Sequence, residues 1–400
     1  VTSLLHTRNA VALSFALNGF CFATMVSRLP DIRSALDLGN ASLGLLLLAI
    51  SIGSVIALPL SGRLIDRYSA AAVTRFGAVL VSVGLTVAMT GVVTDLIALT
   101  AIGFFVDGIG IATWDVSMNV EAAEVEHRLE RTIMPRFHAG WSLGSFAGAG
   151  IGIPMAALHA PLLLHVPGFA VLAAIATWRA AAAYLPAKEE HPDSATSTGW
   201  SPWREPRTLA IGVMVMAFAL SEGAANDWLS LALIDGYDVR HWVGVTGFTV
   251  FVCSMMAGRL YGPVVLDRYG RAPVLWSSAA AAFAGILLIV FGGSIVLVGI
   301  GIVVWGLGAS LGFPVGMSAA ADDPLRAARR VSAVSTIGYT AFLAGPPLLG
   351  LLADHVGTLE TLLVIAALMI PAAATVFAAR ERRAPTSAAA PDQPVGRAEH

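Results

Sequence analysis

Charge is what this sequence has least of. Only 12% of its 400 residues are Asp, Glu, Lys or Arg, about half the share of an ordinary soluble domain. Lysine occurs once, at Lys188, which together with Val1 in the first position fits a GC-rich bacterial source. Cysteine occurs twice, at Cys21 and Cys253, each inside an apolar run. That spacing excludes a disulfide framework and leaves two small buried hydrophobes as the expectation. The chain has no Walker lysine motif, no His-Glu-x-x-His and no Cys-x-x-Cys, so neither direct ATP drive, a cofactor nor a metal site is expected. The net charge of -2 is uninformative as a total, and no nucleic-acid partner is expected.

What fills the chain instead is apolar: 56% of residues are hydrophobic and the mean hydropathy is +0.76. The hydrophobic runs resolve into twelve expected membrane spans, at 10–26, 43–60, 70–93, 96–118, 137–158, 162–185, 209–233, 242–266, 274–291, 295–320, 331–352 and 359–379. Each is long enough, or nearly so, to cross a bilayer. The first is too long and wrongly flanked for a cleaved signal peptide.

The stretch Gly62-Arg63-Leu64-Ile65-Asp66-Arg67-Tyr68 joins the second and third spans. Its Asp-Arg-Tyr returns as Asp267-Arg268-Tyr269, 201 residues later. A charged turn repeated half a chain apart predicts two copies of one bundle, with the substrate site between them. The expected fold is an all-α membrane protein of twelve transmembrane helices in two pseudo-symmetric six-helix bundles. The expected divisions are an N-terminal bundle at 1–185, a central loop at 186–208, a C-terminal bundle at 209–379 and a disordered tail at 380–400. With the N-terminus inside, 21 of the 24 basic residues fall in cytoplasmic segments and only Arg28, Arg33 and Arg240 outside. Both termini are therefore expected in the cytoplasm.

Charge inside the spans marks candidate sites, because an acid at a helix centre costs ~3 kcal/mol on insertion scales. On span four, Asp115 and Asn119 share a face at i, i+4 spacing. Asp107 lies about 80° round the same helix and is left open between lining the cavity and making a structural contact. On span seven, Glu222 and Asn226 share a face, and Glu222 is the first candidate to carry a proton, since burial disfavours a carboxylate's charged form. Asp115 is the second. Span five places His138 and Trp141 at the same 201-residue offset from Tyr339 and Phe342 of span eleven. His138, Trp141 and Tyr339 are candidate ligand contacts, although aromatics beside glycines also serve helix packing. Asn18 and Trp305 are further candidate polar liners.

Taken together, the loops and the repeat resemble the major facilitator superfamily. Its signature after the second span is roughly Gly-x-Leu-Ala-Asp-Arg-x-Gly-Arg-Arg. Gly62, Leu64, Asp66 and Arg67 match, while Ser69, Ala70 and Ala71 depart from it. The second copy matches at Asp267, Arg268, Gly270 and Arg271. Trp114 to Asn119, Glu222 to Trp228, and Gly338-Tyr339 through Gly345-Pro346-Pro347 resemble the YbjJ-type branch, more distantly the fucose permeases. That branch has Gly-Asp where this chain has Gly262-Pro263. The resemblance implies that Gly62, Arg63, Asp66, Arg67, Arg259, Asp267, Arg268, Gly270 and Arg271 form cytoplasmic gates, each aspartate pairing with a neighbouring helix end or arginine.

The expected function is secondary active transport, by alternating access, of a small polar, sugar-like solute across a bacterial inner membrane. A monomer with lipid, solute and proton as partners suffices. Efflux of an amphipathic compound is the alternative. A membrane enzyme lacks a catalytic constellation, and a transporter-fold sensor would need a signalling domain, which the short tail is not expected to supply.

Overall fold

A computed structural model describes residues 2–38, 40–186, 201–239 and 241–381. Most of the expected central loop (187–200), most of the expected tail (382–400) and Arg240 lie outside the described residues. The N-terminal half comprises α1 (Thr2–Val26), α2 (Leu29–Ala35), α3 (Asn40–Tyr68), α4 (Ala70–Val93), α5 (Ile97–Leu129), α6 (Met134–Ala157) and α7 (Leu162–Ala180). The C-terminal half comprises α8 (Pro206–Tyr237), α9 (His241–Tyr269), α10 (Arg271–Phe291), α11 (Ile295–Ala309), α12 (Gly312–Ala320), α13 (Ala327–Val356) and α14 (Thr358–Thr375). Each expected span falls on a helix, the tenth being shared by α11 and α12.

Among the described residues, ten segments are long and apolar enough to cross a membrane. Helix α6 carries His138, Ser142 and Ser145, and α13 carries Arg330, Ser332, Ser335 and Tyr339. Ser142 and Ser332 reach the other half of the molecule, at Arg259 and the Leu58 carbonyl. Across the divide α3 packs on α13, and α6 packs on α9 and α12. The pairing is symmetric, since α3 and α13 are the second and eleventh expected spans and α6 and α9 the fifth and eighth.

Within each half small residues let helices approach closely. A Cβ on Gly84 of α4 would come within 2.4 Å of the Asp107 backbone nitrogen on α5. Helix α5 runs to Leu129, well past the expected end at 118. Its added turns stay buried because Glu126 turns back to cap the next helix, accepting from the backbone N–H groups of Ile133 (2.7 Å) and Met134 (2.6 Å). Orphan amide donors at a helix start make such a site for a carboxylate. The two cysteines divide: Cys21 is buried, but Cys253 is exposed on the outer side of α9, which corrects the expectation for it.

The two charged turns have one backbone. Ser69 (φ 88°, ψ 154°) and Gly270 (φ 78°, ψ 167°) each precede a helix in matching conformations. Glycine reaches this region freely and serine does not. Ser69 recovers part of that strain by accepting a hydrogen bond from the Ala72 N–H (3.3 Å). Exchanging that cap for glycine costs only a few tenths of a kcal/mol, against relief of about 1 kcal/mol or more. Ser69→Gly is therefore expected to raise the unfolding midpoint in detergent, and a lowered midpoint would contradict the strain.

Candidate functional site

At the middle of the molecule five helices converge. From α5, Asn119 points its Nδ2 at the backbone carbonyl of Asp115 (2.9 Å) and at Asp115 Oδ1 (3.3 Å). With that nitrogen committed, Asn119 Oδ1 accepts from His138 Nε2 on α6 (3.2 Å). The imidazole is held edge-on between Phe15, 5.1 Å away on α1, and Phe313, 5.6 Å away on α12. From the opposite half, the Tyr339 hydroxyl of α13 hydrogen-bonds the Asp115 carboxyl and lies within electrostatic reach of Glu222.

The second centre is an ion pair. Arg259 Nη2 donates to Glu222 Oε2 at 2.8 Å, with side chains only 5% and 15% exposed. Arg259 Nη1 donates across the divide to Ser142 Oγ of α6 (3.1 Å), and Nε donates to the backbone carbonyl of Ser310 (3.3 Å). Ser310 stands in the two-residue break between α11 and α12. A broken helix frees carbonyls that must find donors inside an apolar medium, and the guanidinium takes one of them. Ser142 also donates to the His138 carbonyl (3.2 Å), so one turn of α6 touches both centres.

These contacts correct the reading of Arg259. It is not a charge of the inner turn but a buried one, ten residues inside the end of α9. Trp305 is corrected as well. It is fully buried, donates to Ser221 Oγ (2.8 Å) and packs edge-on against Phe251, so it belongs to the core and lines no cavity. Its counterpart Trp114 donates to Ser14 Oγ (2.8 Å) in the N-terminal half, a symmetry of buried indole–serine pairs. Asn18 accepts from Trp141 Nε1 (2.9 Å), and Trp141 stays half-buried. Asn226 is exposed one turn from Glu222. Asp107 does not reach the centre: it is buried inside the N-terminal half, near Cys21 of α1.

The halves are also bonded at the end where both termini lie. Asp66 Oδ2 of α3 pairs with Arg329 Nε of α13 at 2.6 Å. Beside them Gly62 meets α13 so closely that a Cβ there would lie 2.9 Å from the Ala328 carbonyl oxygen, and Ser332 donates its hydroxyl hydrogen to the Leu58 carbonyl. In the symmetric place, Asp267 Oδ1 at the end of α9 accepts from the Thr132 N–H, just before α6 (3.2 Å). Ser318 of α12 donates to Glu126 of α5. Arg271 holds Asp322 (2.7 Å) and Ser318 (2.8 Å), and Arg207 holds the other Asp322 oxygen (2.5 Å). Arg63 is exposed, and Arg67 and Arg268 lie over the rings of Tyr68 and Tyr269 at 5.4 and 5.3 Å.

Sequence reasoning passed over Ser142, Ser310, Glu126, Asp322 and Arg330. The run Asp322-Asp323 followed by Arg326, Arg329 and Arg330 was the available signal for the last two. Arg330 is buried and clasps Glu205 through Nε (2.8 Å) and Nη2 (2.5 Å). Burial pushes the Glu205 carboxyl up, but hydrogen bonds from Arg330 and Thr208 outweigh it and hold the group below its usual range. A lowered folded value means this clasp stabilises at neutral pH and is lost only as pH falls through that value.

The sequence profile of the Major Facilitator Superfamily matches residues 11–334 and 246–399. The uncharacterized transporter y4wD of Sinorhizobium fredii is 32% identical over 354 residues, covering 88% of this chain and 92% of its own length. Membrane protein MosC of Rhizobium meliloti is 28% identical over 382 residues, covering 94% of this chain and 91% of its own. Among solved structures, the transporter FucP in its outward conformation aligns at TM-score 0.78 and 15% identity over 95% of this chain and all of that one. The human organic anion transporter MFSD10 aligns at 0.76 and 17%, over 93% and 99%.

Proposed function

The chain belongs to the Major Facilitator Superfamily and performs secondary transport across a membrane; we propose that it couples the movement of a small polar solute to a proton. The observation that carries this is the pair of acid centres facing one another across the divide. Asp115 is held by Asn119 and Tyr339, and Glu222 is held by Arg259 with Ser142 of the other half. Asp115, Asn119, His138, Trp141 and Tyr339 offer a polar solute hydrogen-bond donors and acceptors beside aromatic faces. Glu222 carries the coupling: protonating it cancels the charge that holds Arg259, frees the guanidinium from its partner and loosens the Ser142 bridge between halves.

In this reading the two aspartate latches close the cytoplasmic side. Asp66 with Arg329, and Asp267 with the start of α6, hold the molecule open to the opposite face, and alternating access requires them to part. The protein works as a monomer in a bacterial inner membrane with both termini inside, and the bundles divide at the central loop. Cysteines placed at Ser69 and Ala327 are expected to react only with reagent on the cytoplasmic side, and one at Thr358 only from the periplasm. Periplasmic labelling at Ser69 would invert the orientation.

Coupling is tested on a ligand found by thermal-shift screening of the purified protein against polar metabolites, since a compound that binds the native state raises its melting temperature. Glu222→Gln is expected to collapse uphill accumulation in proteoliposomes to the equilibrium ratio while counterflow exchange continues. Accumulation driven by an imposed pH gradient in this variant would sink the proposal.

A further inference from the structure

Inside the N-terminal half, apart from the cleft between halves, lies a set of buried polar groups without partners. Among the described residues Asp107 Oδ1, Asn18 Nδ2 and Thr24 Oγ1 have no hydrogen-bond partner, and their residues are 3%, 2% and 2% exposed. Leaving such a group unpaired is costly, and more so for a charge. They stand among seven such atoms in this half, the others being Asp115 Oδ2, His165 Nε2, Thr177 Oγ1 and the Tyr184 hydroxyl, and orphans in such number mark either a defect or a purpose.

Their placement is ordered. Ser14 of α1 bonds Trp114 of α5, and Cys21 of α1 lies within electrostatic reach of Asp107 of α5. Seven residues along α1 thus match seven along α5 in the opposite direction. At ~1.5 Å per residue, Asn18, Asp107 with Cys21, and Thr24 follow one another along the axis of α1 at rises of about 5 Å, turning about 60° round the helix at each step. Below Asn18 the file reaches the level of Asp115, next to Trp114. Above Thr24 it reaches Arg28, which is itself buried and holds Asp31 (2.6 Å), His165 Nδ1 (3.1 Å) and the Ala160 carbonyl (2.9 Å). The line therefore joins a charged cluster at the far end of the bundle to the central acid, without passing through the cleft.

We propose that Asp107 is a proton-carrying site, the middle station of a buried polar file that leads from the Arg28–Asp31–His165 cluster to Asp115. The inference rests on the proton-coupling reading above and adds its entry route. The titratable group facing Asp107 from α1 is Cys21, while α3 and α4 meet this stretch of α5 with Gly53, Ser54 and Gly84, none of which titrates. Among the described residues no cation faces Asp107 to fix a charge there. Polar groups at these intervals suit bridging water, which needs two or more polar partners. The step is a plain proton transfer: a proton from periplasmic water adds to the Asp107 carboxylate, then leaves it through water for the carboxylate of Asp115.

Sided infrared titration tests this without any substrate, so its failure is separable from failure of the coupling proposal. Protein in orientation-sorted proteoliposomes is taken from mildly acidic to mildly alkaline pH on one side at a time. Wild type is expected to show a protonated-carboxyl band that follows periplasmic pH, is lost in Asp107→Asn and returns, shifted, in Asp107→Glu. Thr24→Val is expected to slow the response to a periplasmic pH jump while leaving the equilibrium spectrum unchanged. A band that is the same in wild type and Asp107→Asn would overturn the proposal. So would an Asp107 band that ignores periplasmic pH, which would make the residue a fixed structural acid. Should Asp107→Asn fail to assemble, the shifted band of Asp107→Glu and its sidedness decide the matter.

Discussion

Arg259→Leu is expected to destabilise the folded protein by about 3–5 kcal/mol, and Arg259→Leu with Glu222→Leu to recover most of that loss. The single change strands Glu222 in an apolar interior, 15% exposed, with its ion-pair partner gone. It also removes the donors to the Ser310 carbonyl at the helix break and to Ser142 across the divide. Removing both charges leaves no uncompensated ion, and the added apolar volume replaces part of the packing. Solvent screening, which reduces exposed pairs to a few tenths of a kcal/mol, does not apply to side chains this buried. Both proteins are to be unfolded in micelles alongside wild type. A single-mutant loss below about 1 kcal/mol, or a double mutant no better than the sum of its parts, would show that the pair is not a buried unit. Transport is expected to be absent from both, since the reading above assigns the pair to coupling and stability alike.

The helices and their order were legible because the solvent selects for them: a bilayer admits apolar helices of a set length, and the arginines mark the ends. The repeated Asp-Arg-Tyr announced the two halves. The helix ends were less legible. The fourth expected span stopped at 118, whereas α5 runs on to Leu129 and its Glu126 is spent on the N-terminus of α6. Asp115 and Asn119 came together as their spacing implied, because i, i+4 on a helix is local geometry. Arg259 was misplaced for the opposite reason. A basic residue near a basic turn looks solvated, and only the carbonyl freed by the break at Ser310 and the carboxylate of Glu222, 37 residues away, make a buried position tenable. Likewise a buried tryptophan shows no sign in sequence of the serine that takes its N–H, so Trp305 was read as a liner when it is core. Asp107 was left open in the sequence, and its orphan oxygen shows only once the bundle is closed around it.

The central claim is that two rigid halves exchange which side is closed, with Asp66 and Asp267 holding the cytoplasmic latches. Pulsed electron-spin distance measurements on the protein in nanodiscs test it most directly. One label pair is placed at the cytoplasmic ends of α3 and α13, and another at their far ends. Wild type is expected to show a dominant short cytoplasmic distance. In Asp66→Asn with Asp267→Asn, which removes both latch charges, the cytoplasmic distance should lengthen as the far-end distance shortens, with the two populations shifting together. Distributions at both ends that stay as in wild type, in the double variant and across pH, would contradict the account, because halves that do not rock cannot carry a solute from one side to the other.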